Sequence, residues 1–233
     1  KFMIHTFEDI EELSQEAAKH FIEAADIAIR ERGRFSVALS GGNTPRTLFV
    51  LLAHAPFRSQ VDWQNVHIFW SDERCVSPDD PRSNYHMAQE TLLAKIPTPI
   101  ENIHHIQGEL KPEAAAAKYE AELQAFFGAE PPAFDLILLG LGDNAHTASL
   151  FPHTSALNET KRWVTSVYVE EISMSRITMT APLINQARKI IFLVSGEDKA
   201  PAVKQVLEGS YKPHEYPAQL ISPDQARPIW LLD

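Results

Sequence analysis

Phe134-Asp135-Leu136-Ile137-Leu138-Leu139-Gly140-Leu141-Gly142-Asp143-Asn144-Ala145-His146-Thr147-Ala148-Ser149-Leu150-Phe151-Pro152 is the stretch that decides the fold. Its first six residues are almost wholly apolar, the pattern of a strand buried on both faces. Gly140 and Gly142 then let the backbone turn sharply, and His146 arrives a few residues past the strand's C-terminal end. In an open α/β sheet that carboxyl edge is where ligands bind. An imidazole among polar neighbours there is placed to move protons near neutral pH. A loop histidine that only caps or packs looks the same in isolation, so the other strand ends carry the decision.

Outward from this stretch, strand-like and helix-like segments alternate along the chain. Phe2 to Phe7 reads as a short strand. Ile10, Leu13, Ala17, Phe21, Ala24 and Ala28 form the apolar stripe of a long amphipathic helix that Gly33 ends. Further strands are expected over Phe35–Leu39, Val66–Trp70, Trp163–Val169, Ile177–Thr180, Lys189–Val194 and Ile229–Leu232. Helices are expected near Pro45–His54, Asn84–Lys95, Pro112–Phe127 and Lys199–Leu207. The residues after Trp70 read as a polar loop, and the Pro-rich segment Lys212 to Arg227 as surface chain. Repeated alternation predicts an α/β fold, Rossmann-like, with a mostly parallel sheet covered by helices on both faces. With no linker and no internal repeat, residues 1–233 read as a single domain.

Composition narrows the function classes. The chain has 233 residues, 44% hydrophobic and 22% charged, ordinary for a soluble enzyme with a sizeable core. A net charge of −10 argues against nucleic acid and anionic membrane, which both demand a basic face. A phosphorylated small molecule stays compatible if a few cations or helix N-termini focus positive potential locally. The single Cys75 excludes an intrachain disulfide and fits a reducing compartment; without a membrane span or signal-peptide core, a cytoplasmic location is expected. His104-His105 and the pair His146 and His153 match no zinc spacing, and no carboxylate cluster resembles a magnesium cage, so no metal is expected. A Gly-x-Ser-x-Gly nucleophile elbow is absent.

Two other strand ends carry chemistry. Ser40-Gly41-Gly42-Asn43-Thr44-Pro45 lies between a strand and a helix. Its glycines allow close backbone approach, Thr44 can cap the helix, and Pro45 suits the first turn. The helix N-terminus then offers unpaired N–H groups to a phosphate. The spacing is that of neither the dinucleotide fingerprint nor the Walker loop. Trp70-Ser71-Asp72-Glu73-Arg74-Cys75 also follows a strand; Asp72 and Glu73 point to opposite sides if extended, so at most one faces a cleft. Arg74 can bind an anion or steady an oxyanion. Arg176 and Lys199 are further cations at element ends; the alternative for each is a solvated surface charge.

In combination these stretches resemble the 6-phosphogluconolactonase family. The likeness rests on Ser40-Gly41-Gly42-Asn43-Thr44-Pro45, on Ser71-Asp72-Glu73-Arg74 with Ser83-Asn84, and on His146-Thr147-Ala148-Ser149-Leu150-Phe151-Pro152. It continues through Ser175-Arg176-Ile177-Thr178-Met179-Thr180, Ser195-Gly196 with Lys199-Ala200, and Pro217-Ala218-Gln219-Leu220. The resemblance implies a cofactor-free lactonase of the pentose phosphate pathway and the Rossmann-like fold of glucosamine-6-phosphate deaminases. Its substrate would be a sugar-phosphate lactone, and the protein a monomer or weak homodimer. On that reading His146, Arg74 and Asp72 are catalytic, His146 as base. Gly41, Gly42, Asn43, Thr44, Asn144, Arg176 and Lys199 bind substrate. One departure stands out: the family usually has Asp-Gly-His where this chain has Asn144-Ala145-His146. Asn144 can still hold the ring but without the charge, which Asp143 could supply instead, and Ala145 lacks the glycine's freedom at positive φ. Two alternatives differ in class. A deaminase would carry a glutamate where Leu150-Phe151-Pro152 stands, and a non-catalytic sugar-phosphate sensor would usually carry a fused second domain.

Overall fold

A computed structural model describes residues 2–233 and orders them as alternating strands and helices around a parallel sheet. The strands of this sheet are β1 (Met3–Thr6), β2 (Phe35–Leu39), β3 (Val66–Trp70), β5 (Leu136–Leu139), β8 (Ile190–Val194) and β9 (Ile229–Leu232). Their spatial order is β1-β9-β8-β5-β2-β3, every pair parallel. β2, β5 and β8 are buried at every position, which is why they read as unbroken apolar runs. β2 is followed by β3 on one side, and β5 by β8 on the other. The strand order therefore reverses between β2 and β5, and the loops leaving those two strands splay apart into a crevice.

Six α-helices lie among the described residues: α1 (Ile10–Arg32), α2 (Asn43–Leu52), α3 (Asn84–Thr91), α4 (Pro112–Phe127), α5 (Ala181–Ile184) and α6 (Ala200–Glu208). α1 starts at an Asp9 cap whose side chain accepts the Glu12 N–H, and ends at Gly33 with φ 79°. Its buried face, including Leu13, Ala17, Phe21 and Ala28, packs on α2 and on β2, β8 and β9. α4 reaches the edge strand β3 through Tyr119, whose hydroxyl accepts from Trp70 N–H at 3.0 Å and donates to Trp70 O at 2.8 Å. That single side chain satisfies the backbone N–H and C=O of buried Trp70 on the outer side of an edge strand.

The segment after Trp70 is the main departure from the sequence reading. It is no loop: Asp72–Arg74 forms β4, antiparallel to β7 (Met174–Met179), which pairs in turn with β6 (Val164–Val169). These three strands make a separate antiparallel sheet. The turn Glu170–Ile172 between β6 and β7 is too short for a parallel crossover, and it carries no glycine, proline or asparagine. Ser173 supplies the left-handed residue at φ 47° instead. Two smaller differences also matter. α3 stops at Thr91 and a tighter turn covers Leu93–Lys95. Within Lys212 to Arg227, expected as surface chain, Pro217, Ala218 and Ile221 are buried.

At the amino end of β5, Asp135 ties three elements together. Its buried carboxylate accepts from Arg32 Nη2 and Ser36 N, both at 2.8 Å, and lies 3.6 Å from Arg188 Nε. Asp135→Ala leaves the buried Ser36 N–H unpaired and two guanidiniums without their partner. We expect a loss of about 2–4 kcal/mol, read as a Tm lowered by about 2–4 °C per kcal/mol. Because Asp135 sits at the opposite end of the strands from the crevice, ligand affinity of the folded variant should be unchanged.

Candidate active site

The carboxyl ends of three strands of the parallel sheet, β2, β5 and β8, and two strands of the antiparallel one, β4 and β7, enclose a cleft of about 490 Å³. After β2, Gly42 takes φ 102° and caps α2, which begins at Asn43. Thr44 is therefore inside the first turn rather than the cap expected of it, because the glycine lets the helix start earlier. The opening N–H groups of α2 have no intrahelical acceptor, and they line the cleft together with Gly41, Gly42, Asn43 and Thr44. A methyl group on Gly41 would overlap the Asn84 amide, so only glycine fits there.

The loop after β5 is tightly tied. Gly142 N–H donates to His146 O at 2.9 Å, Ala145 N–H to Gly142 O at 2.9 Å, and Thr147 Oγ1 to Gly140 O at 2.8 Å. Ala145 adopts φ 66°, the conformation expected to need glycine. An alanine there costs roughly 1–2 kcal/mol, and the loop holds it by its own hydrogen bond and by Ala218 N–H on Ala145 O at 3.0 Å. The buried turn at Pro217–Leu220 thus braces the histidine loop from below.

His146 lines the cleft with its ring over Gly142, where a side chain would overlap it, and stacked on Phe151 with centroids 4.0 Å apart. Asn144 Oδ1 accepts the His146 N–H at 3.1 Å and lies 2.6 Å from Nδ1. A backbone N–H can only donate, so the atom facing it is the amide oxygen; the ring nitrogen facing the same oxygen must then carry the proton. Nε2 is left bare. Burial holds the imidazole down to about 4, Asp72 opposing it and Arg176, Lys199 and Arg74 adding to it. The ring is neutral at pH 7 and able to accept a proton. Its folded value lies below the ordinary one, so the unfolded chain takes up a proton that the fold refuses between about 6.5 and 4. This ring therefore makes the fold less stable as pH drops through that window.

Asp72 and Glu73 diverge as alternation on β4 requires. Asp72 faces the cleft, its carboxylate receiving Ser149 Oγ at 2.7 Å and Asn84 Nδ2 at 3.3 Å, with Arg176 Nη1 3.9 Å away. Glu73 turns inward and accepts from Ser83 Oγ and from Arg74, Asn84 and Tyr85 N–H, clamping β4 to the start of α3. Burial still pushes its carboxyl up, those hydrogen bonds opposing the rise. Burial and then Glu73 push the Cys75 thiol up to about 11, so Arg74 does not activate it. Arg74 and Arg176 stand directly opposite each other across β4 and β7, with both Nε atoms buried and without partners among the described residues. Arg176 also lies over the Phe151 ring, 5.3 Å from its centroid. Burial and Arg74 lower the Arg176 pKa, yet a guanidinium keeps its charge. Like charges so placed repel, and the Asp72 carboxylate near Arg176 offsets part of that repulsion.

Lys199, just after β8, lines the cleft from the other side and pairs with Asp143 at 2.9 Å. Asp143 therefore faces Lys199 and does not take over the charge missing from residue 144. Asn144 stands behind the imidazole rather than on the cleft wall. All other expected residues, namely His146, Arg74, Asp72, Gly41, Gly42, Asn43, Thr44, Arg176 and Lys199, line the cleft together. Sequence reasoning missed Ser149, Asn84 and Phe151 as parts of the site. Asn84 and Ser149 lie inside the quoted motifs, but their shared partner Asp72 is 12 and 77 residues away.

The sequence profile described as glucosamine-6-phosphate isomerases/6-phosphogluconolactonase matches residues 8–230. A 6-phosphogluconolactonase of a Nostoc species is 46% identical over 212 residues, 89% of this chain and 85% of that protein. One from Haemophilus influenzae is 41% identical over 197 residues, 84% of each chain. The structure of 6-phosphogluconolactonase from Trypanosoma cruzi superposes with a TM-score of 0.89 at 28% identity, covering 100% of this chain and 94% of that one. A monomeric glucosamine-6-phosphate deaminase shares the fold, with a TM-score of 0.83 at 24% identity, covering 100% of this chain and 97% of its own. The chain belongs to the glucosamine-6-phosphate isomerase/6-phosphogluconolactonase family.

Asn144→Asp tests the ring's environment directly. A carboxylate on Nδ1–H stabilises the imidazolium, so the His146 pKa should rise from its value near 4. The check is an NMR titration of the ring in both proteins; an unmoved midpoint would mean that residue 144 does not sense it.

Proposed function

We propose that this chain hydrolyses 6-phospho-D-glucono-1,5-lactone to 6-phospho-D-gluconate, a step of the oxidative pentose phosphate pathway, with His146 as the general base. The observation that carries the mechanism is the 2.6 Å contact between Asn144 Oδ1 and His146 Nδ1, which leaves Nε2 as the bare, basic nitrogen in the cleft. Nε2 takes a proton from water as its oxygen adds to the lactone carbonyl carbon. The carbonyl oxygen becomes an oxyanion, which Arg74 stabilises. When the bond from that carbon to the ring oxygen breaks, the proton on Nε2 passes to the departing ring oxygen, giving a hydroxyl and the open carboxylic acid, which releases its remaining proton to solvent as the carboxylate. His146 is regenerated. Asp72, held by Ser149 and Asn84, orients the sugar or the water.

The phosphate goes to the opening N–H groups of α2 with Arg176 and Lys199, which fixes the lactone in register for attack. In a deaminase a carboxylate would act where Phe151 stands; here that residue is an aromatic ring stacked on His146. No helix among the described residues is long and apolar enough to cross a membrane. The free Cys75 fits a reducing compartment, and we place the protein in the cytoplasm. The cleft gathers residues from Ser40 to Lys199, which supports action of residues 1–233 as one domain, and we take the protein to be a monomer or weak homodimer.

Two experiments test this reading. His146→Ala should lower kcat for lactone hydrolysis by about 10²–10⁴-fold, corrected for spontaneous hydrolysis, while 6-phosphogluconate still binds by calorimetry. Hydrolysis at the unmutated rate would overturn the base assignment. Lys199→Ala and Arg176→Ala should each weaken 6-phosphogluconate binding by about 1–3 kcal/mol, for one lost charge-assisted bond. Unphosphorylated gluconolactone should be a far poorer substrate; equal turnover of both lactones would remove the phosphate site.

A further inference from the structure

The Asn144 amide is held from both ends. Its Oδ1 is committed to His146 N–H and Nδ1, at 3.1 and 2.6 Å, so its Nδ2 must point away from the ring. There it donates to Glu171 Oε2 at 3.5 Å. Glu171 belongs to the turn Glu170–Ile172 joining β6 to β7, and no lysine or arginine pairs with its side chain among the described residues. A negative charge on the N–H side of an amide polarises it and makes its oxygen a stronger acceptor. The amide dipole between Glu171 and the imidazole is aligned for this.

We propose that Glu171 is a positioning residue for His146, acting through Asn144: its carboxylate orients and polarises the amide that holds Nδ1–H and keeps Nε2 as the base. The proposal rests on His146 being that base. Around the ring the other charged groups are Asp72 and Arg74 on β4, Arg176 on β7 and Lys199 after β8. Asp143, the nearest acidic residue in sequence, is engaged by Lys199. Glu171 is therefore the carboxylate in contact with the amide, and being exposed it can be replaced without disturbing the core.

The test measures kcat and KM of lactone hydrolysis for Glu171→Gln in two backgrounds, unmutated and Asn144→Asp, together with NMR titration of the His146 ring. In the unmutated background kcat should fall about threefold to tenfold, the kinetic equivalent of one hydrogen bond, with KM unchanged and the ring pKa lowered. With Asp at position 144, residue 171 faces a like charge, and Glu171→Gln should no longer lower kcat. Equal losses in both backgrounds would assign Glu171 a merely structural role and overturn the proposal. Unchanged kcat with an unchanged titration would overturn it too. His146→Ala separates this from the base assignment: an inactive His146→Ala beside a silent Glu171→Gln removes only the Glu171 proposal, whereas a fully active His146→Ala removes both.

Discussion

The backbone of Ser71 belongs to two sheets at once. Its N–H donates to Leu39 O at 2.9 Å, continuing the parallel ladder, and its carbonyl accepts Met179 N–H at 2.8 Å, opening the antiparallel one. Its buried hydroxyl adds a bond of 3.2 Å to Leu39 O. From that point the chain runs on as β4, which shares the cleft with the loops leaving β2 and β5. Asp72 and Arg74 are carried over the crevice as a result, and the pairing of β4 with β7 brings Arg176 beside them. The crevice itself follows from the strand order, but its charged wall follows from this one crossing.

That wall explains how an acidic protein can hold an anion. The chain's net charge is −10, yet Arg74, Arg176 and Lys199 meet in one cleft against the partly positive end of α2. Asp72, and Asp143 on Lys199, balance part of this, and the Asp72 oxygens are already occupied by Ser149 and Asn84. Half-buried cations facing each other repel, and an anion between them would relieve that repulsion as well as making contacts. The same cations and the same burial keep His146 neutral, which a base requires. The cleft cations and the imidazole thus share one electrostatic field, in which Asp72 is the opposing influence.

Some of this was written in local sequence. The apolar runs of β2, β5 and β8, the stripe of α1 and its Gly33 stop, and the glycine turns after Leu39 and Leu139 each depend on residues within a few positions of one another. Backbone freedom and hydrophobic burial act at that range, so the parallel α/β sheet, the carboxyl-edge loops and His146 could be read directly. Tertiary structure decided the rest. β4 could not be read because Asp72-Glu73-Arg74 has no apolar pattern; its buried charges are satisfied by Ser83, Asn84, Tyr85, Ser149 and Arg176, which arrive from other elements. The β6–β7 turn lacked a glycine signal because Ser173, its N–H on Glu170 O, takes the left-handed conformation. Ala145 does the same, held by its loop and by Ala218. Asn144 and Asp143 carry similar side chains on adjacent positions, yet one faces an imidazole and the other Lys199. Hydrogen bonds and ion pairs are short-ranged in space and indifferent to distance along the chain, so only the folded chain could choose between them.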